Sequence, residues 1–298
     1  MDGVLNINKP KGISSYGVVA RVKKILKVQK VGHAGTLDPE ATGVLLVCLG
    51  KATKIVQFLM SLEKEYRGEM LLGISTDTDD AQGNIIKQEE DVSIPETSLR
   101  EVFKEFLGEI NQTPPMVSAV KHEGKRLYQL ARAGVTVLPK PRKVQIYKID
   151  ILSYKNSTVK FNVVCSKGTY IRALCRDIGH KLGCGAHLKS LQRLRIGSFN
   201  INSALSLEEL ENSAYKNNID AFLYSADAAL EHLPNMVVNN EGAIDILGGI
   251  IPGEEKIISF PKKINGLLKI HNLSSKLLAV AQVDSNSKQK LKLVRVFS

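Results

Sequence analysis

Two periodicities alternate irregularly along this chain, and their order constrains the fold more than any other feature. Tyr66, Gly68, Met70, Leu72 and Ile74 recur at every second residue, as do Val159, Phe161, Val163 and Cys165. That spacing predicts strands over 66–74 and 159–165, each with one buried face. Leu99, Val102, Phe103, Phe106, Leu107 and Ile110 fall at helical spacing behind Ser98 and Glu101, the pair expected of a capping box. Val18, Val19, Val22, Ile25 and Leu26 predict a second amphipathic helix, with Ser14 or Ser15 as its cap. Further strands are expected over 4–8 and 144–152. A largely buried helix is expected over 41–60, and another over 171–182, closed by Gly183. No regular strand–helix repeat emerges, which argues an α+β fold with a mixed, mainly antiparallel sheet and flanking helices.

The character changes near residue 230. Asn240 can cap a short helix through Leu247, and short strand candidates follow at 256–260, 267–271, 277–283 and 290–297. This reads as a β-rich module, giving domains 1–230 and 231–298. No apolar run reaches the ~18 residues of a membrane span, and the first residues carry no secretory signal, so a cytoplasmic protein is expected. The four cysteines form no CxxC pair and read as reduced. Cys184 lies near His180 and His187, but the spacing and the missing fourth ligand do not fit zinc.

The net charge of +11 is unevenly spread: residues 1–60 carry +6, 61–110 carry −8, 111–200 carry +14 and 201–298 carry −1. A basic stretch of that size inside a globular chain suits a polyanion partner, although a solvated basic face would look the same.

Three stretches are candidates for chemistry. Residues 32–43 (GHAGTLDPEATG) crowd His33, Thr36 and Asp38 into a tight glycine-rich loop before the expected helix. Asp38 is there either a helix cap or a working carboxylate. Lys167 to Arg172 lie at a strand-to-helix junction, where Arg172 is either a surface arginine or part of a site. Tyr66 opens a strand and is either core or a stacking platform. The acidic run 77–83 fails as a calcium loop because Gln82 and Gln88 stand where Gly and Glu are needed, so it reads as a polar turn. No P-loop, GxGxxG, HExxH or GxSxG is present, which argues against nucleotide hydrolysis, dehydrogenation, zinc proteolysis and α/β-hydrolase chemistry.

The loop from Gly32 to Pro39 with Ala41 to Leu45 resembles the signature of the TruB family of pseudouridine synthases, the bacterial tRNA pseudouridine-55 synthases. Lys9-Pro10-Lys11-Gly12, Lys64-Glu65-Tyr66, the stretch Gln112–Lys121, Gly168–Arg172 and Gly185–Leu188 with Leu191 are similar to the family's other motifs, in its order. The resemblance covers about residues 3–200. The C-terminal module resembles the family's PUA-type RNA-binding domain by position and length.

The resemblance implies an enzyme that isomerises a uridine of the tRNA T-loop, position 55, to pseudouridine on a flipped-out nucleotide, with no metal and no cofactor. It implies Asp38 as the catalytic residue and Arg172 as its partner. Tyr66 would stack on the uracil, Leu191 would supply apolar wall, His33 would contact the target nucleotide, and Lys9 and Tyr170 would be further pocket residues. An RNA-clamping insertion would occupy about residues 113–143 and carry Lys121, Arg126, Arg132, Arg142 and Lys143. The expected partner is the tRNA T-stem-loop, bound by a monomer with no obligate protein partner and no membrane. The competing readings are a non-catalytic RNA-binding or RNA-chaperone protein on the same scaffold, and the RNA-guided branch of the superfamily.

Overall fold

The computed structural model describes residues 1–90, 92–118, 121–122, 124–135, 137, 139–262, 264, 266–283 and 291–297, with backbone alone at 121, 122, 125, 126, 128, 131 and 132. Chain order begins with β1 (Gly3–Lys9), α1 (Ser15–Leu26), β2 (Val31–His33), β3 (Thr42–Leu49), α2 (Val56–Ser61), β4 (Lys64–Leu72), β5 (Ile74–Thr76) and β6 (Ile85–Gln88). It continues with α3 (Glu96–Glu105), β7 (Gly108–Gln112), β8 (Lys121–His122), β9 (Lys125–Arg126), α4 (Leu127–Arg132), β10 (Arg142–Lys155), β11 (Thr158–Cys165), α5 (Ile171–Lys181), β12 (Ala186–Ile196), β13 (Phe199–Asn200) and α6 (Leu207–Tyr215). The remainder is β14 (Asn235–Val238), α7 (Asn240–Leu247), β15 (Ile257–Ser259), β16 (Gly266–His271), β17 (Leu277–Val283) and β18 (Leu291–Val296).

The main sheet runs β1-β3-β12-β4-β11-β10-β7. Its pairings are antiparallel except β3 with β12, which agrees with the mixed, mainly antiparallel sheet expected. On one side α3 and α5 bury Leu99, Phe103, Leu174 and Ile178 against Met70, Phe161 and Val163. On α1, Ser14 caps through the Gly17 amide, and Val18 and Val22 pack with Leu5, Ile7 and Leu45.

Several expected elements are corrected. Residues 41–60 are not one helix but strand β3, a 3₁₀ turn over Gly50–Ile55, and the short α2. The reason lies in β3's two faces. Leu45, Val47 and Leu49 face the α1 side, while Val44, Leu46 and Cys48 belong to a second cluster, so every residue from Val44 to Leu49 is apolar and the period-two signal vanishes. The Ser98–Glu101 capping box does not form: α3 begins at Glu96 after Pro95, and Ser98 lies within its first turn. That helix ends at Glu105, Gly108 turns the chain at φ +92°, and Ile110 belongs to β7. Strand β4 stops at Leu72, and Gly73 at φ +87° sends Ile74 into β5. The cap of α7 is Asn239, not Asn240.

Strands β15-β14-β16-β17-β18 form a second sheet with its own core around Met236, Ile246, Leu268, Ile270 and Ala281. The two sheets share apolar contact: Val280 of β17 is buried with Val4, Val44, Leu46 and Ile55, and Leu267, Leu277 and Phe297 pack against that cluster. Among the described residues, no helix is long and apolar enough to cross a membrane.

Candidate active site

The loop between β2 and β3 carries Asp38, and nearly every peptide around that residue is held by a buried side chain. The Ser15 hydroxyl, at the start of α1, accepts from the Leu37 amide at 2.8 Å and donates to the Leu37 carbonyl at 3.0 Å. Lys9, at the end of β1 and fully enclosed, donates from Nζ to the carbonyls of Pro10 (2.9 Å), Ile13 (2.6 Å) and Pro39 (2.9 Å). Burial lowers its pKa to about 8, against the pull of Asp38 and Glu40. From β12, Arg193 donates to the carbonyls of Gly35 (3.1 Å), Thr36 (3.4 Å) and Val44 (2.7 Å). Gly35, at φ +101°, supplies the turn. Because β3 follows the loop, Asp38 has no helix to cap, and the capping reading of this aspartate falls.

The carboxylate of Asp38 instead meets Arg172, at the first turn of α5. Arg172 is 5% exposed, and its Nε and Nη2 lie 3.0 and 3.4 Å from the two Asp38 oxygens. Nη1 donates to Asp80 Oδ2 at 3.1 Å and to the Thr78 carbonyl at 3.2 Å, and Nη2 donates to the Val117 carbonyl at 2.8 Å. Burial raises the Asp38 pKa above the ordinary carboxylate value; Arg172 pulls it down, Asp80 pushes it up and Lys9 lowers it. A planar fork that serves two carboxylates and two carbonyls fixes direction as well as charge, which an ammonium could not do.

This pair opens onto a cleft of about 720 Å³, lined by Asp38, Thr42, Arg67, Asp80, Arg172 and Leu191 among others. That is within the ~300–1,000 Å³ of a small-ligand site. Tyr66, Lys9, His33 and Tyr170 are not among the described residues lining it. Tyr66 is 8% exposed and belongs to the apolar cluster that includes Leu37 and Ala41. Its phenol pKa is raised by burial, against the lowering effect of Arg193. His33 is half-buried at the end of β2, and its Nδ1 finds no hydrogen-bond partner among the described residues. Burial, then the charge of Arg193, lowers its pKa and favours the neutral ring. Tyr170 is anchored through its backbone: its amide donates to Gln112 Oε1 at 2.8 Å, and its carbonyl accepts from Gln112 Nε2 at 3.1 Å. In the expected clamp, Arg142 and Lys143 are exposed on β10 and Lys143 pairs with Glu109 at 2.8 Å. The side chains of Lys121, Arg126 and Arg132 lie outside the described residues.

Residues 23–171 match the model of the TruB family pseudouridylate synthase N-terminal domain, and residues 172–231 match that of the tRNA pseudouridylate synthase B C-terminal domain. The chain belongs to the TruB family. Its relatives include proteins named tRNA pseudouridine synthase B from Clostridium kluyveri, 41% identical over all of both chains, and from Alkaliphilus oremlandii, 46% identical over 84% of this chain and 82% of the other. Among solved structures, this TruB-family chain is similar to one in a Cbf5-Nop10-Gar1 complex: TM-score 0.80, 32% identity, covering 99% of this chain and 85% of that one.

Three residues of the TruB-family site escape a reading of the sequence alone. Asp80 sits in the polar turn between β5 and β6, yet reaches Arg172. Arg193 and Ser15 hold the Asp38 loop from elements far away in the chain. Alternation along β12 places Arg193 two residues beyond Leu191, on the same face, and that was the available signal.

Proposed function

We propose that this protein isomerises a uridine of tRNA to pseudouridine, at position 55 of the T-loop, with Asp38 as the catalytic carboxylate. The observation that carries the reading is the Asp38–Arg172 ion pair at the cleft, made by an aspartate with no capping role. The reaction breaks the C1′–N1 bond, turns the base and joins C1′ to C5, while the C5 proton leaves and N1 gains one, so product and substrate are isomers. An oriented, ionised carboxylate can serve as nucleophile or stabilise an oxocarbenium-like sugar. Both roles need the proton off, and Arg172 favours that state.

The target uridine must leave its stack, at a cost of a few kcal/mol. The basic surface of residues 111–200 offsets that cost through phosphate contacts, with Lys121, Arg126, Arg132, Arg142 and Lys143 as the clamp. Arg172 and Leu191 face the extruded nucleotide, with Tyr66 and His33 behind them. Lys9 acts through the loop it holds, and Tyr170 through its anchor on Gln112. Residues 1–230 form the catalytic domain and 231–298 a PUA-like RNA-binding domain, and the enzyme works alone on tRNA. The high identity to proteins named tRNA pseudouridine synthase B favours this over the RNA-guided reading.

The test is pseudouridine mapping by chemical adduct formation on a T-stem-loop RNA incubated with the protein. One adduct stop at the T-loop uridine, absent with Asp38→Asn, supports the reading. No stop with wild-type protein that binds the RNA refutes it and leaves an RNA-binding protein.

A further inference from the structure

Arg193 lies on β12 directly opposite Tyr66 of β4, and it heads the fully buried side chains by volume, at 1% exposed. Its guanidinium has no carboxylate partner among the described residues. It meets instead the carbonyls of Val44, Gly35 and Thr36, at 2.7, 3.1 and 3.4 Å, and its Cζ stands 6.0 Å from the centroid of the Tyr66 ring. Taking a guanidinium out of water without a counter-ion is costly, and an apolar side chain of similar volume would satisfy a strand interior better.

Every partner of this cation flanks the site. Gly35 and Thr36 lead through Leu37 to Asp38, Val44 resumes the chain after the loop, and Tyr66 belongs to the buried cluster that includes Leu37 and Ala41. The approach is built into the backbone. Gly43 adopts φ +103°, and a Cβ there would fall 2.2 Å from the Arg193 carbonyl, so β3 and β12 touch where the side chain enters. Lys9 holds the peptide after Asp38, while Arg193 holds the peptides before it.

We propose that Arg193 is a positioning residue for the isomerisation, its buried fork holding the Gly35–Thr36 backbone and the Tyr66 ring in one register around Asp38. This rests on the reading of Asp38 as the catalytic carboxylate, with Tyr66 packed behind the pocket. A lysine keeps the charge, but its three donors radiate from one nitrogen, whereas Arg193 reaches Val44 from Nε, Thr36 from Nη1 and Gly35 from Nη2 across a rigid plane, a spread that one ammonium does not reproduce.

The experiment compares Arg193→Lys and Arg193→Gln in the full chain, by thermal melt, tRNA binding titration and single-turnover pseudouridine formation with excess enzyme. The expected result is a folded protein that binds tRNA within about threefold of wild type. Its single-turnover rate falls on the order of 10²-fold, the effect of a displacement near 1 Å. Affinity and melting temperature falling in step with the rate would assign Arg193 to the fold alone and overturn the proposal, as would failure of both variants to fold. Asp38→Asn, run alongside, separates two other failures. An active Asp38→Asn protein overturns the reading of the site and this proposal with it. An inactive one beside an Arg193→Lys protein of wild-type rate overturns only the positioning role.

Discussion

Asp38 and Asp80 meet on one buried guanidinium, and each alters what the other costs. Arg172 alone would hold Asp38 ionised, whereas burial and the second carboxylate resist it, and the pKa of Asp38 is raised overall. A raised pKa means that the carboxylate is lost on acidification at a higher pH than for free aspartate, so the single-turnover rate should fall on an acid limb above pH ~3.9. The sign of each neighbour then predicts a shift. Asp80→Asn removes a charge that raises Asp38, so the inflection should move to lower pH. Arg172→Gln removes the charge that lowers it, so the inflection should move higher. A pH–rate profile of each variant checks both, and shifts in the same direction for the two would contradict the electrostatics. Asp38→Asn itself should abolish turnover, by about 10³-fold or more, the order seen when a central catalytic side chain is lost. Its melting temperature should move by a few degrees at most, since Asp80 still pairs with Arg172 and no helix loses its cap.

At the scale of elements, the close approach of β3 to β12 is the feature most exposed to a single change. Gly43→Ala puts a Cβ 2.2 Å from the Arg193 carbonyl at a residue with φ +103°, and backbone cannot yield as a side-chain tip can. The variant should lose at least about 2 kcal/mol of stability by chemical denaturation, as strained and overpacked sites do. Its turnover should fall too, because the strands that part carry Arg193 and the end of the Asp38 loop. The same strand marks the limit of what the sequence makes legible. Where an element has one wet face, as in β4, β11, α1 and α3, its period is visible and its type is read correctly. Strand β3 is buried on both faces, so Val44 to Leu49 present no period and read as helix. The Asp38 loop was legible by its composition and by family resemblance, and its partnership with Arg172 by the resemblance alone. Ser15 and Asp80 were not, and Arg193 showed only through its alternation with Leu191, because hydrogen bonds spanning from 22 to 158 positions leave no pattern of their own.

For the whole molecule, the question is what the C-terminal sheet contributes. Every described residue lining the cleft lies between Lys11 and Gln192, and the region beyond residue 200 is nearly neutral, so the chemistry does not draw on the described residues of 231–298 directly. The packing, however, is shared. Val280 is buried with Val4, Val44, Leu46 and Ile55; Leu267, Leu277 and Phe297 cover the same cluster; and Lys269 pairs with Asp227 at 2.6 Å. Ending the chain at residue 230 would therefore uncover one face of β3, and each large apolar side chain exposed costs about 1.5–3 kcal/mol. The truncated protein should melt several degrees lower and scatter more light as it warms, because the bared patch favours self-association. Measured at 15 °C, well below its new transition, its single-turnover rate on a minimal stem-loop should stay within about threefold of the full chain, since the Asp38 loop and α5 are intact. Full-length tRNA should bind it more weakly than the stem-loop comparison alone accounts for. A truncated protein as stable as the full chain would mean that the shared cluster adds nothing. A folded but inactive one would mean that β17 supports the pocket through β3, and that the two sheets act as one catalytic unit.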